Sequence, residues 1–378
     1  MYQLPTYTPP DFTAPGLANA PAARVKPAPA DGVLPDNFHS TSNHPEYVHL
    51  GGGEWLLATE SRMDAVFVLR GKELRVLEPR RVRRGDPVVV GRGENGEDGI
   101  YLHSSGFGKE DEPGDKFAFR TRGTRETPFS RSYDDLYALL RHEREHGCIL
   151  WVLGPAVAFD RDSREAMAGM IEAGFCHTLL AGNALATHDL EAGRFRTGLG
   201  QDIYTQELVR GGHYNHLEII NEVRRHGSMA AACAGLGITD GIISACLHKG
   251  IPYVLAGSIR DDGPLPEVIT DSCNAQDAMR SHARRATTVI ALATQLHAIA
   301  VGNMISGYRL QKGGGVRPVY FYIVDMSEFA ADKLANRGSA QVKAIMTNAQ
   351  DFIVNLWHNL RPERHAPGSA NGREDSLQ

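Results

Sequence analysis

The segment LAGSIRDDGPLPEVITD, residues 255–271, holds the densest concentration of reactive side chains in the chain. Arg260 can clamp a carboxylate through two parallel hydrogen bonds, and Asp261 or Asp262 can hold or deprotonate an ammonium. An amino acid presents both groups. Asp-Gly-Pro is also an ordinary turn signal, but two adjacent carboxylates are costly to keep idle. His297, in ATQLHAIAVGNM, is the second candidate: an imidazole there passes protons near neutral pH, or simply packs into a core.

These residues need elements to carry them. Apolar runs suited to buried parallel strands occur at CILWVLG, FCHTLLA, PYVLAG, TTVIALA, PVYFYIVD and KAIMT, with helical patterns between them. The alternation predicts an α/β fold, a doubly wound and mostly parallel six-stranded sheet. In such a sheet ligands bind outside the carboxyl ends of the strands. The residues there are small and polar: Gly154, Pro155 and Ala156; Gly182, Asn183 and Ala184; Gly257 and Ser258; Asp325; Thr347 and Asn348. Small residues opening a helix let backbone N–H groups approach a pyrophosphate, so these turns predict dinucleotide binding. Asp325 can accept from ribose hydroxyls and would repel a 2′-phosphate, which favours NAD over NADP; it fits an N-cap equally well.

A literal GxGxxG occurs at Gly91, Gly93 and Gly96, but EDGIYLHSSG follows it with no helical pattern, so a surface hairpin loop is expected there. His142, His146 and Cys148, and His213 with His216, have spacings that metals use. Neither set completes a zinc ligand set, and no metal is expected. The basic run RVLEPRRVRRGD lacks interleaved aromatics and reads as a solvated loop.

Length and composition bound the rest. At 378 residues and 42% apolar, the chain can bury a core for two domains without staples. A net charge of −5 gives no field for nucleic acid or an anionic membrane, leaving a small-molecule partner. The 5 cysteines form no CxxC pair and suit a reducing cytoplasm as packing residues. No signal peptide is evident, and no run reaches the ~20 apolar residues of a membrane span. Residues 1–36, rich in Pro and Ala, are expected to be disordered or loosely draped, as is the tail 363–378. EYVHL, DAVFVLR, LRVL and PVVVG predict a small β-rich domain over 37–125, followed by an NAD-binding catalytic domain over 126–362. DDLYALLRHEREHG opens the latter with a helix ending at Gly147.

The stretches FHSTSNHPEYV, VLGPAVAFD, LLAGNALATHDLEA, PYVLAGSIRDDGPLPEVITDSCNAQDAMR, LATQLHAIAVGNM and RGSAQ carry a resemblance over residues 37–355. The chain resembles the archaeal-type ornithine cyclodeaminases, whose catalytic domain also forms the C-terminal part of cyanobacterial arginine dihydrolases. The resemblance implies a deoxyhypusine-synthase-like NAD domain behind a β-rich one. It also implies redox-neutral conversion of L-ornithine to L-proline with loss of ammonia. Arg260, Asp261, Asp262 and His297 suit that chemistry, and Asn43 and His44 of the STSNHP loop are expected to reach the substrate from the β-rich domain. A homo-oligomer is expected. The chain departs from the family in its Pro/Ala leader, in a longer Gly-rich loop over 91–120, and in Thr347-Asn348 where Asp-Val is usual. Competing expectations are NAD-dependent oxidation or aminoalkyl transfer on another amine, and a non-catalytic NAD-binding protein. Arg260 argues against a polyamine, which has no carboxylate to pair with it.

Overall fold

The computed structural model describes residues 2–108, 130–327 and 342–362. The tail, the boundary expected near 125, the second half of the 91–120 loop and the RGSAQ motif lie outside the described residues. After a short helix α1 (Pro15–Ala18) come β1 (Arg24–Pro27), β2 (Glu46–Gly51), β3 (Glu54–Leu57), β4 (Val66–Arg70), β5 (Glu73–Leu77), β6 (Pro87–Val90) and β7 (Ile100–Leu102). They form two antiparallel sheets, ordered β1-β6-β4-β5 and β3-β2-β7. Val48, Phe67, Val89 and Ile100 fill the space between them. All four runs expected to be strands are strands; β1, β3 and β7 are additions.

The leader is not loosely draped. Arg24–Pro27 pairs with Pro87–Val90, Phe12 stacks on Trp55 at 5.1 Å, and the Tyr7 hydroxyl meets that of Tyr47 at 2.9 Å. Farther upstream, the Tyr2 hydroxyl donates to Tyr320 of the following unit. A few aromatics at wide spacing supply the buried area that average composition concealed. The glycine decoy behaves as expected: Gly91 and Gly96 take φ of 131° and 103°, Asp98 accepts from the N–H of Arg92 and Gly93, and β7 follows rather than a helix.

The second unit opens with α2 (Ser130–His146). It continues with β8 (Ile149–Leu153), α3 (Arg161–Glu172), β9 (Thr178–Gly182), α4 (Asn183–Phe195), the β10 (Thr197–Gly198) and β11 (Gln201–Asp202) hairpin, and α5 (Asn215–His226). Next come α6 (Met229–Leu236), α7 (Ile242–Lys249), β12 (Tyr253–Ala256), α8 (Ser272–Ala283), β13 (Thr288–Leu292) and α9 (Gln295–Met304). A hairpin of β14 (Tyr308–Leu310) and β15 (Val316–Pro318), then β16 (Tyr320–Asp325), β17 (Val342–Met346) and α10 (Ala349–Leu360), complete it. The six expected strands form one fully parallel sheet in the order β12-β9-β8-β13-β16-β17. Because β8 is apolar at every position, both faces must be covered. Ile149, Trp151 and Leu153 face a core shared with α2, α3, α4, α7 and α10, while Leu150 and Val152 face α8 and α9. None of the helices described is long and apolar enough to cross a membrane.

Charged groups lock the assembly. Arg164 of α3 is 1% exposed, and its Nε donates to Asp189 of α4 at 2.7 Å; Asp189 in turn accepts from the N–H of Ile242 and Ile243 at the start of α7. The β-rich unit docks on α8 through Arg280 with Glu78 and Arg284 with Glu60. Removing one partner of a buried pair strands the other charge, at a cost of roughly 3–5 kcal/mol. Arg164→Met should therefore lower stability by about that amount in urea denaturation. Arg161→Met, which breaks an exposed pair with Glu165 and an exposed contact over the Tyr204 ring, should move the midpoint far less.

Candidate active site

The strands end level with one another. Leu153 of β8 pairs with Ala181 of β9 and Leu292 of β13, Ala256 of β12 with Gly182, and Asp325 of β16 with Met346 of β17. Gly257, Gly182, Gly154, Asp325 and Thr347 therefore stand in a row along one edge, on strands about 4.8 Å apart. The order of connections reverses between β8 and β13, which makes the gap between them the switch point where open α/β sheets bind ligands. Backbone is tightly packed there. A Cβ on Gly154 would overlap the Ala293 carbonyl oxygen, and Ala293 itself takes a left-handed φ of 51°.

The helices at this edge divide into two kinds. Asp160 caps α3, Asp271 caps α8 and Asn348 caps α10, each with its side chain. Helices α4 and α9 have no side-chain cap at Gly182 and Thr294, leaving their first N–H groups open toward the edge. Several expected cofactor residues take other roles. Asn348 spends its carbonyl on Gln350 and Asp351 N–H, and Gly154 leads not into an α-helix but into a 3-10 turn. In that turn Pro155 has no N–H, and the Ala156 carbonyl accepts from Gln350. Gly257 lacks a side chain because the Thr270 backbone lies 3.1 Å from where its Cβ would sit. Ala184 lies half-buried in the first turn of α4, beside Asn183. The Asp325 carboxylate accepts from Ser327 N–H at 2.8 Å.

The loop after β12 is held by internal hydrogen bonds. Asp261 accepts from Ser258 N–H at 2.7 Å and from the Asn183 amide at 3.2 Å. The Asn183 carbonyl accepts from Leu265 N–H and Thr187 Oγ1. Asn183, buried to 6% exposure, thus acts as a brace that fixes the acidic loop rather than as an open ligand contact. Arg260 and Asp262 are exposed, and their side chains have no hydrogen-bond partner among the described residues. His297, in the first turn of α9 after β13, reaches across β8 toward β9: a Cβ on Gly182 would lie 3.1 Å from its Cε1. Burial pulls the His297 pKa below the ordinary 6.5, against an opposing attraction from Asp261. Three large apolar side chains stand exposed past the strand ends: Ile259 and Met326 on the loops after β12 and β16, and Leu296 in the first turn of α9 after β13. Scattered in sequence, they gave no signal; only the aligned strand ends bring them to one rim.

Asn43 and His44 do not reach this edge. The Asn43 backbone carbonyl accepts from Gly307 N–H, and the Gly307 carbonyl in turn accepts from Val319 N–H just before β16, so the STSNHP loop docks at the amino ends of the strands. A five-residue strand separates the two edges by roughly 16 Å. The loop is shaped by its own buried carboxylate: Glu46 accepts from Ser42 and meets His39 at 2.8 Å. Burial lowers the His44 pKa, opposed by Glu46.

Comparison with known proteins agrees with this architecture. Residues 136–356 match the family described as arginine dihydrolase ArgZ-like, C-terminal, Rossmann fold. The ornithine cyclodeaminase of Methanopyrus kandleri is 40% identical over 352 residues, spanning 90% of this chain and 79% of that one. A crystal structure of a conserved protein from Methanococcus maripaludis S2 superposes with a TM-score of 0.81 at 36% identity, covering 90% of this chain and 98% of that one. The ternary complex of AgrE with ornithine and NAD+ gives a TM-score of 0.55 at 30% identity, over 91% of this chain and 46% of that one.

The electrostatic pairing across the β9–α4 turn is testable by NMR titration of His297. Its pKa should lie below 6.5, and Asp261→Asn should lower it further, since burial remains while the attraction is lost. An unchanged or raised value would separate the two groups.

Proposed function

We propose, from the premise that the chain belongs to the family that unites archaeal ornithine cyclodeaminases with the C-terminal part of ArgZ-like arginine dihydrolases, that this ornithine-processing enzyme converts L-ornithine to L-proline and ammonia without net redox change. The observation that carries the reading is the convergence of Asp261, His297 and two open helix N-termini inside one apolar rim.

NAD, when bound, supplies a hydride acceptor that takes and returns the substrate α-hydrogen. The residues suit such a group. The N–H groups opening α4 at Asn183 and Ala184 remain available to a pyrophosphate, and Gly154 and Gly182 keep the edge low between them. Asp325 suits ribose hydroxyls and disfavours a 2′-phosphate. Gly154-Pro155-Ala156 contributes shape more than hydrogen bonds.

The remaining work falls to side chains of the acidic loop and α9. Arg260, exposed at the rim, would clamp the substrate carboxylate with its planar fork. Asp261, held by Ser258 and Asn183, would accept a proton from a substrate amine, with Asp262 beside it as the second carboxylate. His297 is neutral near pH 7 and would hold a second proton in transit as the δ-amine attacks and ammonia leaves. Ile259, Leu296 and Met326 would close over the bound molecules and exclude water from the reacting carbon.

Incubation with L-ornithine deuterated at the α-carbon should give labelled proline and ammonia with no accumulation of free NADH. Label lost to solvent would exclude direct hydride return. Asp261→Asn should lower kcat by at least about a hundredfold, while Arg260→Lys should chiefly raise KM. Because the neutral imidazole is the active form, kcat/KM should hold above pH 6.5 and fall through an acid limb below it; His297→Gln should remove that limb.

A further inference from the structure

We infer that His188, Glu191 and His216 form a binding site for a zinc-class divalent cation, on helices α4 and α5 beside the sheet's ligand edge. One ligand atom from each residue lies within 4.8 Å of the other two. His188 and Glu191 are three apart on α4 and so share a face, while His216 enters from the first turn of α5. The two imidazole rings lie 5.2 Å apart, 27° from parallel. His216 Nδ1 is buried with no hydrogen-bond partner, the sort of orphan a native structure keeps for a reason.

The carboxylate is prepared as a ligand would be. Glu191 is fully buried; its Oε1 accepts from Thr197 Oγ1 at 2.8 Å and Gly200 N–H at 3.2 Å, which fixes its plane. Its Oε2 shares a proton with His188 Nδ1 at 2.9 Å. A cation would displace that contact, with the neutral His188 imidazole keeping its single proton on Nε2. Two imidazoles and a carboxylate suit zinc and its neighbours rather than magnesium or calcium. At metal–ligand distances near 2.1 Å, tetrahedral donors stand roughly 3.4 Å apart, so half-buried His216 must swing inward by about an ångström. With three protein ligands, one position stays open to water.

The spacing within GGHYNH pointed at the wrong partner. His213 packs at a tilt against the neighbouring Tyr214 ring and stays outside the cluster, while the sequence-distant THDLE turn of α4 supplies the other two ligands. His142 and His146 lie 5.0 Å apart, with no third ligand joining them among the described residues.

The test is metal binding by the full chain, with no turnover measured. Chelator-treated protein titrated with Zn(II) should bind one ion per chain. Co(II) in its place should give d–d absorption bands and contact-shifted imidazole N–H signals from two histidines. His216→Asn and Glu191→Gln should each weaken binding by more than about tenfold with near-ultraviolet dichroism unchanged. No stoichiometric binding, Co(II) spectra without two-histidine signals, or unchanged affinity in both folded variants would overturn the assignment. The spectrum of the unaltered protein decides the matter should either variant fail to fold.

Discussion

The buried contact between Arg164 and Asp189 is the constraint on which the arrangement of this protein depends. Asp189 holds Arg164 of α3 with the same carboxylate that receives the first N–H groups of α7, and Arg164 also reaches the Asp240 carbonyl at 2.9 Å. Three helices are thereby fixed to one another by one charge pair. Gly241, with a φ of 100°, is needed because any Cβ there would run into the guanidinium. Helix α4 sits in the middle of this knot. Its first residue, Asn183, braces the acidic loop, and its second and third turns carry His188 and Glu191, so one element of 13 residues aligns both clusters.

The two units meet along an ionic seam. Glu78 accepts from Arg62 within the β-rich unit and forms an ion pair with Arg280 of α8, and Asp277 engages Arg80 and Arg81. Much of the basic run at 80–84 is thus spent on intramolecular pairs. The seam and the STSNHP loop occupy the outer face of α8 and the amino edge of the sheet, which leaves the carboxyl edge open. A cavity of about 540 Å³ lined by Arg284, Arg285 and Arg309 marks the same amino edge.

Much of the fold was legible because buried parallel strands announce themselves: Ile149–Leu153 is apolar throughout, Thr288–Leu292 is apolar after its first residue, and both are buried at every position. Topology then placed the site, since the small residues after those runs all reach one edge. What failed did so for physical reasons. Composition cannot see that Tyr2, Tyr7 and Phe12 anchor the leader. Local spacing cannot tell which edge a loop such as STSNHP will meet, because that depends on packing against α9 and β14. Residue type alone does not separate an amide that binds a ligand from one that braces a loop or caps a helix, as Asn183 and Asn348 do.

The open starts of α4 and α9 carry a thermodynamic consequence. A helix whose first N–H groups lack a side-chain partner forgoes about 1 kcal/mol that a cap would supply. An anionic ligand seated there supplies the missing acceptors, and only the folded chain can receive it. Folding and occupancy are then linked equilibria: at a hundredfold excess over Kd, a ligand adds about 2.7 kcal/mol to the folded state. The resistance of this chain to unfolding and proteolysis would therefore follow the ligand concentration around it, rising and falling with supply while no covalent bond or contact in the scaffold changes.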